Sequence, residues 1–312
     1  MDLSIVVPLY NERDNLAPLH QELAAVLEPL RISYEMIFID DGSDDGSIEV
    51  LRRVKESDPR VRVIRLARNS GQTAALACGF ANSKGEIVVA IDGDGENDPA
   101  DIPRLIARLG EGYDLVSGWR TERWKGARLT RRLPSIAANS LISKITGVRL
   151  HDYGCTLKAY SGDMVRQLRL YGEMHRFVPA IAAEQGARVA ELEVNFRPRR
   201  SGASKYGPGR ILRTFLDLIT VRFLSGYSTR PIQVFGAIGV VLGALGSLWT
   251  AMLVFEKIVL GYPLADRPAL LLAVLLVVVG VQLVSIGLLG EMLARTYHES
   301  QGKQIYVIKE DF

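Results

Sequence analysis

Residues Glu86 to Pro99 read EIVVAIDGDGENDP: an apolar run from Ile87 to Ile91 gives way to Asp92, Asp94, Glu96 and Asp98 within seven positions. A short apolar, largely β-branched run closed by a Gly-Asp cluster predicts a strand buried on both faces, its carboxyl end opening into a loop. In an open α/β sheet the loops at that edge leave a crevice between the flanking helices, and ligands sit there. Carboxylates massed at such an edge repel one another unless they share a cation. Oxygen ligands with no His or Cys nearby suit Mg²⁺ or Mn²⁺, and Mg²⁺ usually completes its shell with water and substrate phosphates. The bland reading is an acidic turn ahead of a helix, with Asp98 as N-cap and Pro99 at the first helical position. Asp98 takes that capping role; Asp92, Asp94 and Glu96 are read as a metal-diphosphate site.

Around this stretch, residues 1 to about 120 alternate strand-like and helix-like patterns. Leu3 to Val7, Met36 to Ile39, Val61 to Leu66, Ile87 to Ile91 and Leu115 to Ser117 are the strand candidates. Leu16, Leu19, Leu23, Val26, Leu27 and Leu30 recur at three- and four-residue steps, the mark of one buried helix face. This βαβ alternation predicts a doubly wound, mostly parallel sheet. The loops after the first two strands, Pro8-Leu9-Tyr10-Asn11-Glu12 and Asp40-Asp41-Gly42-Ser43-Asp44-Asp45-Gly46, then open onto the same edge as Asp92. Carboxylates there can accept hydrogen bonds from a ribose or a base N–H, and the glycine permits close backbone approach. Ser43 and Asp44 read equally well as caps of the next helix. Asp40 and Asp41, adjacent at a strand end, need partners. Arg68 and Gln72 lead into an Ala-rich helix, Thr73 to Ala81, whose small residues read as packing first.

The alternation breaks after Gly118-Trp119-Arg120. A basic stretch follows, and Arg131, Ser135 and Asn139 stand four apart, a spacing that lines one helix face with a cation and two hydrogen-bonding groups. Such a face suits a phosphate monoester or an acidic membrane surface. His151-Asp152-Tyr153-Gly154-Cys155 with Lys158 forms a turn before another strand. Arg197 to Tyr206, RPRRSGASKY, reads as a cationic segment able to fold over an anion, or as a positive linker.

The 312 residues carry a net charge of +3, too small a sum to argue for nucleic acid, and two distant cysteines, which argues against a disulfide framework. Met1 leads straight into a strand pattern, so no signal peptide is expected. The apolar excess is concentrated in 25 uncharged residues from Pro231 to Phe255 and 22 from Ala269 to Gly290. At 1.5 Å per residue the shorter is about 33 Å, enough for a hydrocarbon core of about 30 Å. Two membrane-spanning helices are therefore expected, with Gly239 and Gly243 spaced for close packing within the hairpin or between chains. Arg210, Arg213, Arg222 and Arg230 before the first span, on an amphipathic interfacial pattern, and Arg295 and Lys303 after the second place both ends in the cytoplasm. The expected division is a cytoplasmic α/β domain at 1–200, a lid and interfacial helices at 201–230, spans within 231–292, and a tail at 293–312 in which Gln304 to Lys309 form a short strand.

VPLYNE, DDGSDDGS, the acidic loop, GWR, DYGC and R-x-x-G-x-S-K-Y, in this order and ahead of two spans, resemble the family-2 glycosyltransferases of GT-A fold that act on polyprenyl phosphates. The resemblance covers nearly the whole chain. It implies transfer of a sugar, with inversion, from a nucleotide sugar, UDP-linked in bacterial members, to undecaprenyl or dodecaprenyl phosphate, for envelope glycan or lipid A modification. It further implies Mg²⁺ or Mn²⁺, a homo-oligomer (a tetramer), membrane lipid around the spans, and the bacterial inner membrane. Carried onto this chain, Pro8, Tyr10, Glu12, Asp40 and Asp41 would surround the nucleotide. Asp92 would face diphosphate and sugar, and Asp94 and Glu96 would hold the metal. Arg120, Arg131 and Ser135 would take the lipid phosphate, Arg199 and Lys205 would close over both substrates, and Asp152 sits where related transferases to alcohols have their base. The chain departs from the pattern at Gly95-Glu96, where relatives carry a Leu-Gln type continuation; similar acidic loops in transferases of galacturonic acid point towards an acidic sugar. The rival readings are a non-catalytic nucleotide-sugar or lipid-phosphate binder and a processive polysaccharide synthase, which would carry more spans and a QxxRW-like motif. A dinucleotide oxidoreductase lacks its GxGxxG after the first strand.

Overall fold

A computed structural model describes residues 1–124, 139–140, 142–143, 146–170, 174–197, 231–261, 263, 267–300 and 305–312. The alternation runs β1 (Leu3–Leu9), α1 (Arg13–Leu27), β2 (Tyr34–Asp40), α2 (Ser47–Ser57), β3 (Val61–Leu66), α3 (Gln72–Asn82), β4 (Ile87–Ala90), α4 (Ile102–Leu109) and β5 (Leu115–Arg120). It continues with β6 (Lys158–Ser161), α5 (Gly162–Gln167), α6 (Val178–Glu184) and β7 (Val189–Val194). Two long helices, α7 (Pro231–Leu260) and α8 (Pro268–Ser300), precede a last strand, β8 (Ile308–Asp311). The chain divides into two units, Met1–Leu218 with Gln304–Phe312, and Ile219–Lys303.

In the first unit the eight strands form one sheet in the order β7-β5-β6-β4-β1-β2-β3-β8. β1 pairs in parallel with β2 and β4, and β2 with β3. β1 and β2 are buried along their whole length, as strands covered by helices on both faces must be. Leu16, Leu19, Leu23 and Leu27 of α1 are buried against this sheet, on the face their spacing predicts. β6 is antiparallel to both β4 and β5, so the sheet is mixed. Asp98 caps the turn that leads into α4, its side chain accepting from Ala100 N at 3.0 Å.

β8 departs from expectation. It begins four residues later than the predicted strand and ends on Glu310 and Asp311, antiparallel to β3. Charge at those positions reads as the end of a strand in sequence; on this sheet edge it is met by Arg62, which holds Asp311 at 2.6 and 2.9 Å, and by Arg52, 2.7 Å from Glu310. These residues add an antiparallel edge strand beside β3.

Asp58, at the end of α2, is buried and receives Arg60 Nε at 2.8 Å, the Arg60 amide at 3.0 Å and His20 Nε2 at 3.1 Å. Burial works against its charge, but these hydrogen bonds win and hold the carboxyl at about 2. Because the folded value lies below the unfolded one, the ionised group contributes about 2 kcal/mol above about pH 4, and this is lost as pH falls towards 2. Thermal unfolding between pH 6 and pH 3 is expected to show the wild-type midpoint falling more steeply than that of Asp58→Asn, which starts lower.

In the second unit Phe235–Leu260 and Pro268–Gly290 are long and apolar enough to cross a membrane. The helices meet at small residues. A Cβ on Gly280 would lie 2.6 Å from the Gly239 carbonyl oxygen and 2.7 Å from Gly243 N, whereas one on Gly243 would meet nothing within 4 Å. Gly239 therefore serves packing inside the hairpin. Backbone cannot yield as a side chain can, so Gly280→Val is expected to cost roughly 1–3 kcal/mol and to lower the melting point of the detergent-solubilised protein, with Gly243→Ala close to neutral.

Candidate active site

The carboxyl ends of β1, β2 and β4 lie side by side, and a cleft of about 240 Å³ opens there. Pro8, Tyr10, Glu12, Asp41, Asp92 and Asp94, all singled out from sequence, line it together with Asn69, Gly71, Gln72 and Ala75. The first two loops are tied to each other. Asn11, with φ of 56°, donates its amide to Ser43 Oγ at 2.9 Å and exchanges side-chain and backbone bonds with Asp44. Ser43 and Asp44 thus tie the second loop to the first instead of capping α2, whose first residue, Ser47, is held by Asp45.

The two adjacent carboxylates diverge. Asp41 faces the cleft and accepts the amides of Ser70 and Gly71 at 2.7 and 2.8 Å. Burial raises its carboxyl above the ordinary range against the pull of those amides. Asp40 is not among the residues lining the cleft. It is fully buried, accepts the Ser43 amide at 3.0 Å and lies 3.4 Å from Arg65 Nε. Period-two alternation explains the split: neighbouring side chains at a strand end point to opposite faces. Gly42, at φ +73°, is needed for contact within the protein, since a Cβ there would come 2.7 Å from the Arg68 carbonyl carbon.

Asp92 and Asp94 face the cleft from the end of β4. Gln72 Nε2 donates to Asp92 Oδ1 at 2.7 Å and also lies 3.4 Å from Thr156 Oγ1. Loss of water, then the charge of Asp94, pushes the Asp92 carboxyl above the ordinary range, with Thr156 and Arg120 pulling the other way. A cation would relieve that repulsion, and the donors are all oxygen, so the residues fit a divalent metal. Among the described residues no group of three or more His, Cys, Asp or Glu side chains converges on a metal site. Glu96 is not among the lining residues either. The protein's share of such a shell is then one or two carboxylates, the number Mg²⁺ takes when a substrate diphosphate supplies other ligands.

Behind the acidic loop, Arg120 and Asp152 form a buried bidentate pair, Nε to Oδ2 at 2.7 Å and Nη2 to Oδ1 at 3.1 Å. Glu191 on β7 fixes the turn carrying Asp152 by accepting the amides of His151 and Asp152 at 2.8 and 3.0 Å. Buried Lys158 donates to the Cys155 carbonyl beneath this pair, and burial lowers its pKa. The expected acceptor cation and the expected base are therefore bound to one another. Arg131, Ser135, Arg199 and Lys205 lie outside the described residues. Gln72 and Thr156 are the groups that sequence reasoning missed: neither is charged, and only the sheet brings residue 156 to residue 92.

Residues 4–169 match the model of glycosyl transferase family 2. The chain is 41% identical over 316 residues to the dodecaprenyl-phosphate galacturonate synthase of Rhizobium johnstonii, spanning 100% of this chain and 93% of that one. It is 37% identical over 311 residues to the undecaprenyl-phosphate 4-deoxy-4-formamido-L-arabinose transferase of Pseudomonas savastanoi pv. phaseolicola, spanning 99% and 90%. Among solved structures, mannosyl-3-phosphoglycerate synthase from Rubrobacter xylanophilus superposes with a TM-score of 0.58 at 16% identity, over 72% of this chain and 74% of that one. Glucosyl-3-phosphoglycerate synthase from Mycobacterium tuberculosis, bound to Mn²⁺ and UDP-glucose, gives 0.53 at 21% identity, over 71% and 78%. These two likenesses establish the GT-A fold.

Proposed function

We propose, because this chain belongs to glycosyl transferase family 2, that it transfers a sugar from a nucleoside diphosphate donor to a polyprenyl phosphate, inverting the anomeric carbon. The observation that carries this reading is the match along the whole chain, apolar helices included, to two relatives whose names both give a polyprenyl phosphate as acceptor. The cleft supports this donor class: Tyr10, Glu12 and Asp41 line it beside Asp92 and Asp94, a set of groups suited to a nucleoside diphosphate. UDP is the favoured nucleotide, and Mg²⁺ or Mn²⁺ the favoured metal. The galacturonate synthase favours an acidic sugar.

In this scheme the nucleophile is a phosphate oxygen of the lipid, already ionised, so a strong general base is not required. That suits an Asp152 held by Arg120: the pair supports the floor of the site and lends its electrostatics to Asp92. Gln72 and Thr156 orient the Asp92 carboxylate at the anomeric end of the cleft, while Tyr10, Glu12 and Asp41 hold the nucleoside. Asp94 would hold a divalent cation, with Glu96 in support, and such an ion offsets charge on the leaving diphosphate. Arg131 and Ser135 remain assigned to the acceptor phosphate, and Arg199 and Lys205 to both anionic substrates. The two apolar helices would anchor the enzyme in the bacterial inner membrane among its lipids, with the α/β unit cytoplasmic by the positive-inside rule, as a homo-oligomer.

The test is transfer of label from a panel of UDP- and GDP-sugars to undecaprenyl phosphate in detergent, with Mg²⁺ or Mn²⁺. A lipid-phosphate monosaccharide that needs the metal and carries the anomer opposite to the donor's is the expected product. Nucleotide binding without any product from the panel would replace this reading with a binding protein.

A further inference from the structure

The chain leaving β7 is fastened to the acidic loop and the turn that follows it. Asn195 N donates to Asp101 Oδ2 at 2.7 Å, and Phe196 forms an isolated antiparallel bridge with Asn97. Arg197 N donates to the Glu96 carbonyl at 2.9 Å. The Arg197 side chain then forks, Nη1 reaching Glu22 Oε2 on α1 and Nη2 reaching Asp98 Oδ2, each at 2.7 Å. Asp98 is the residue that caps the turn closing the loop, so one guanidinium joins the loop's far end to a helix on another part of the sheet.

From these contacts we propose that Arg197 is a positioning residue for donor binding: it clamps residues 94–101 so that Asp94 keeps its place at the cleft. Lysine is a poor substitute, because only the planar fork can serve two carboxylates on separate elements at once. Although Arg197 opens the cationic RPRRSGASKY segment, its own charge is already engaged by two carboxylates and it does not belong with the cations assigned to substrate phosphate. This inference rests on the donor reading of the cleft.

The test uses the full-length protein in detergent and two readouts: hydrogen exchange of the amides at 94–101, and binding of UDP with Mn²⁺. Arg197→Ala is expected to speed exchange across the loop and to weaken UDP binding roughly threefold to tenfold, the range open to a partly exposed charge network. Arg197→Lys and Glu22→Gln should fall between this variant and the wild type. Unchanged exchange in Arg197→Ala overturns the clamp, and faster exchange with unaltered UDP affinity overturns its role in donor binding. Failure of the donor reading itself has a separate signature: the wild type takes up no UDP with Mn²⁺, and exchange alone then decides whether Arg197 holds the loop.

Discussion

Arg120→Ala is expected to lower the thermal midpoint of the full-length protein by roughly 10 °C and to abolish sugar transfer. The guanidinium and Asp152 are both buried and bonded through two nitrogens and two oxygens. Removing Arg120 takes the bidentate counter-charge from a buried carboxylate, which costs about 3–5 kcal/mol, whereas replacing both members by apolar groups is often close to neutral. The double variant Arg120→Met with Asp152→Leu should therefore recover most of the lost stability. Differential scanning fluorimetry in detergent separates the outcomes. A double variant as unstable as the single one would mean that the pair stabilises through partners other than each other. Recovered stability without recovered transfer would mean that the pair also serves the chemistry, through its field on Asp92 or through the acceptor phosphate.

Asp94→Ala is expected to cut transfer by two to three orders of magnitude, the equivalent of about 3–4 kcal/mol of transition-state stabilisation. Asp94 Oδ1 also accepts the Glu96 amide at 3.1 Å, so the alanine variant loses a turn contact along with a charge. Asp94→Asn keeps an acceptor for that amide and removes the charge. Equal losses in the two variants, with the Mn²⁺ dependence of the remaining rate gone, are the outcome the metal reading requires. Near wild-type transfer by the asparagine variant would mean that the loop's shape, not its charge, is what matters.

Much of the fold was legible because its causes are local. Apolar runs such as Ile87 to Ala90 and the three- and four-step leucines of α1 each state their own burial, and the structure places them accordingly. β8 was less legible, because its partners lie some 250 positions earlier in the chain, in Arg62 and Arg65. At the site, Pro8, Tyr10, Glu12, Asp41, Asp92 and Asp94 could be named beforehand, since each stands where a strand runs into a polar loop. The orientation of Asp40 towards Arg65, and the hold of Gln72 on Asp92, depend on which face a side chain leaves and on what lies across the sheet.

Taken by itself, the sequence determined the alternation of strands and helices, the edge at which acidic loops gather, and two apolar stretches long enough to span a bilayer. These follow from hydrophobic period and from the chemistry of neighbouring residues. Only the tertiary structure decided which charges meet: Arg120 with Asp152, Arg197 with Glu22 and Asp98, Arg62 with Asp311. An ion pair depends on distance in space, and residues separated by tens to hundreds of positions acquire that distance only when the sheet has set the order of its strands.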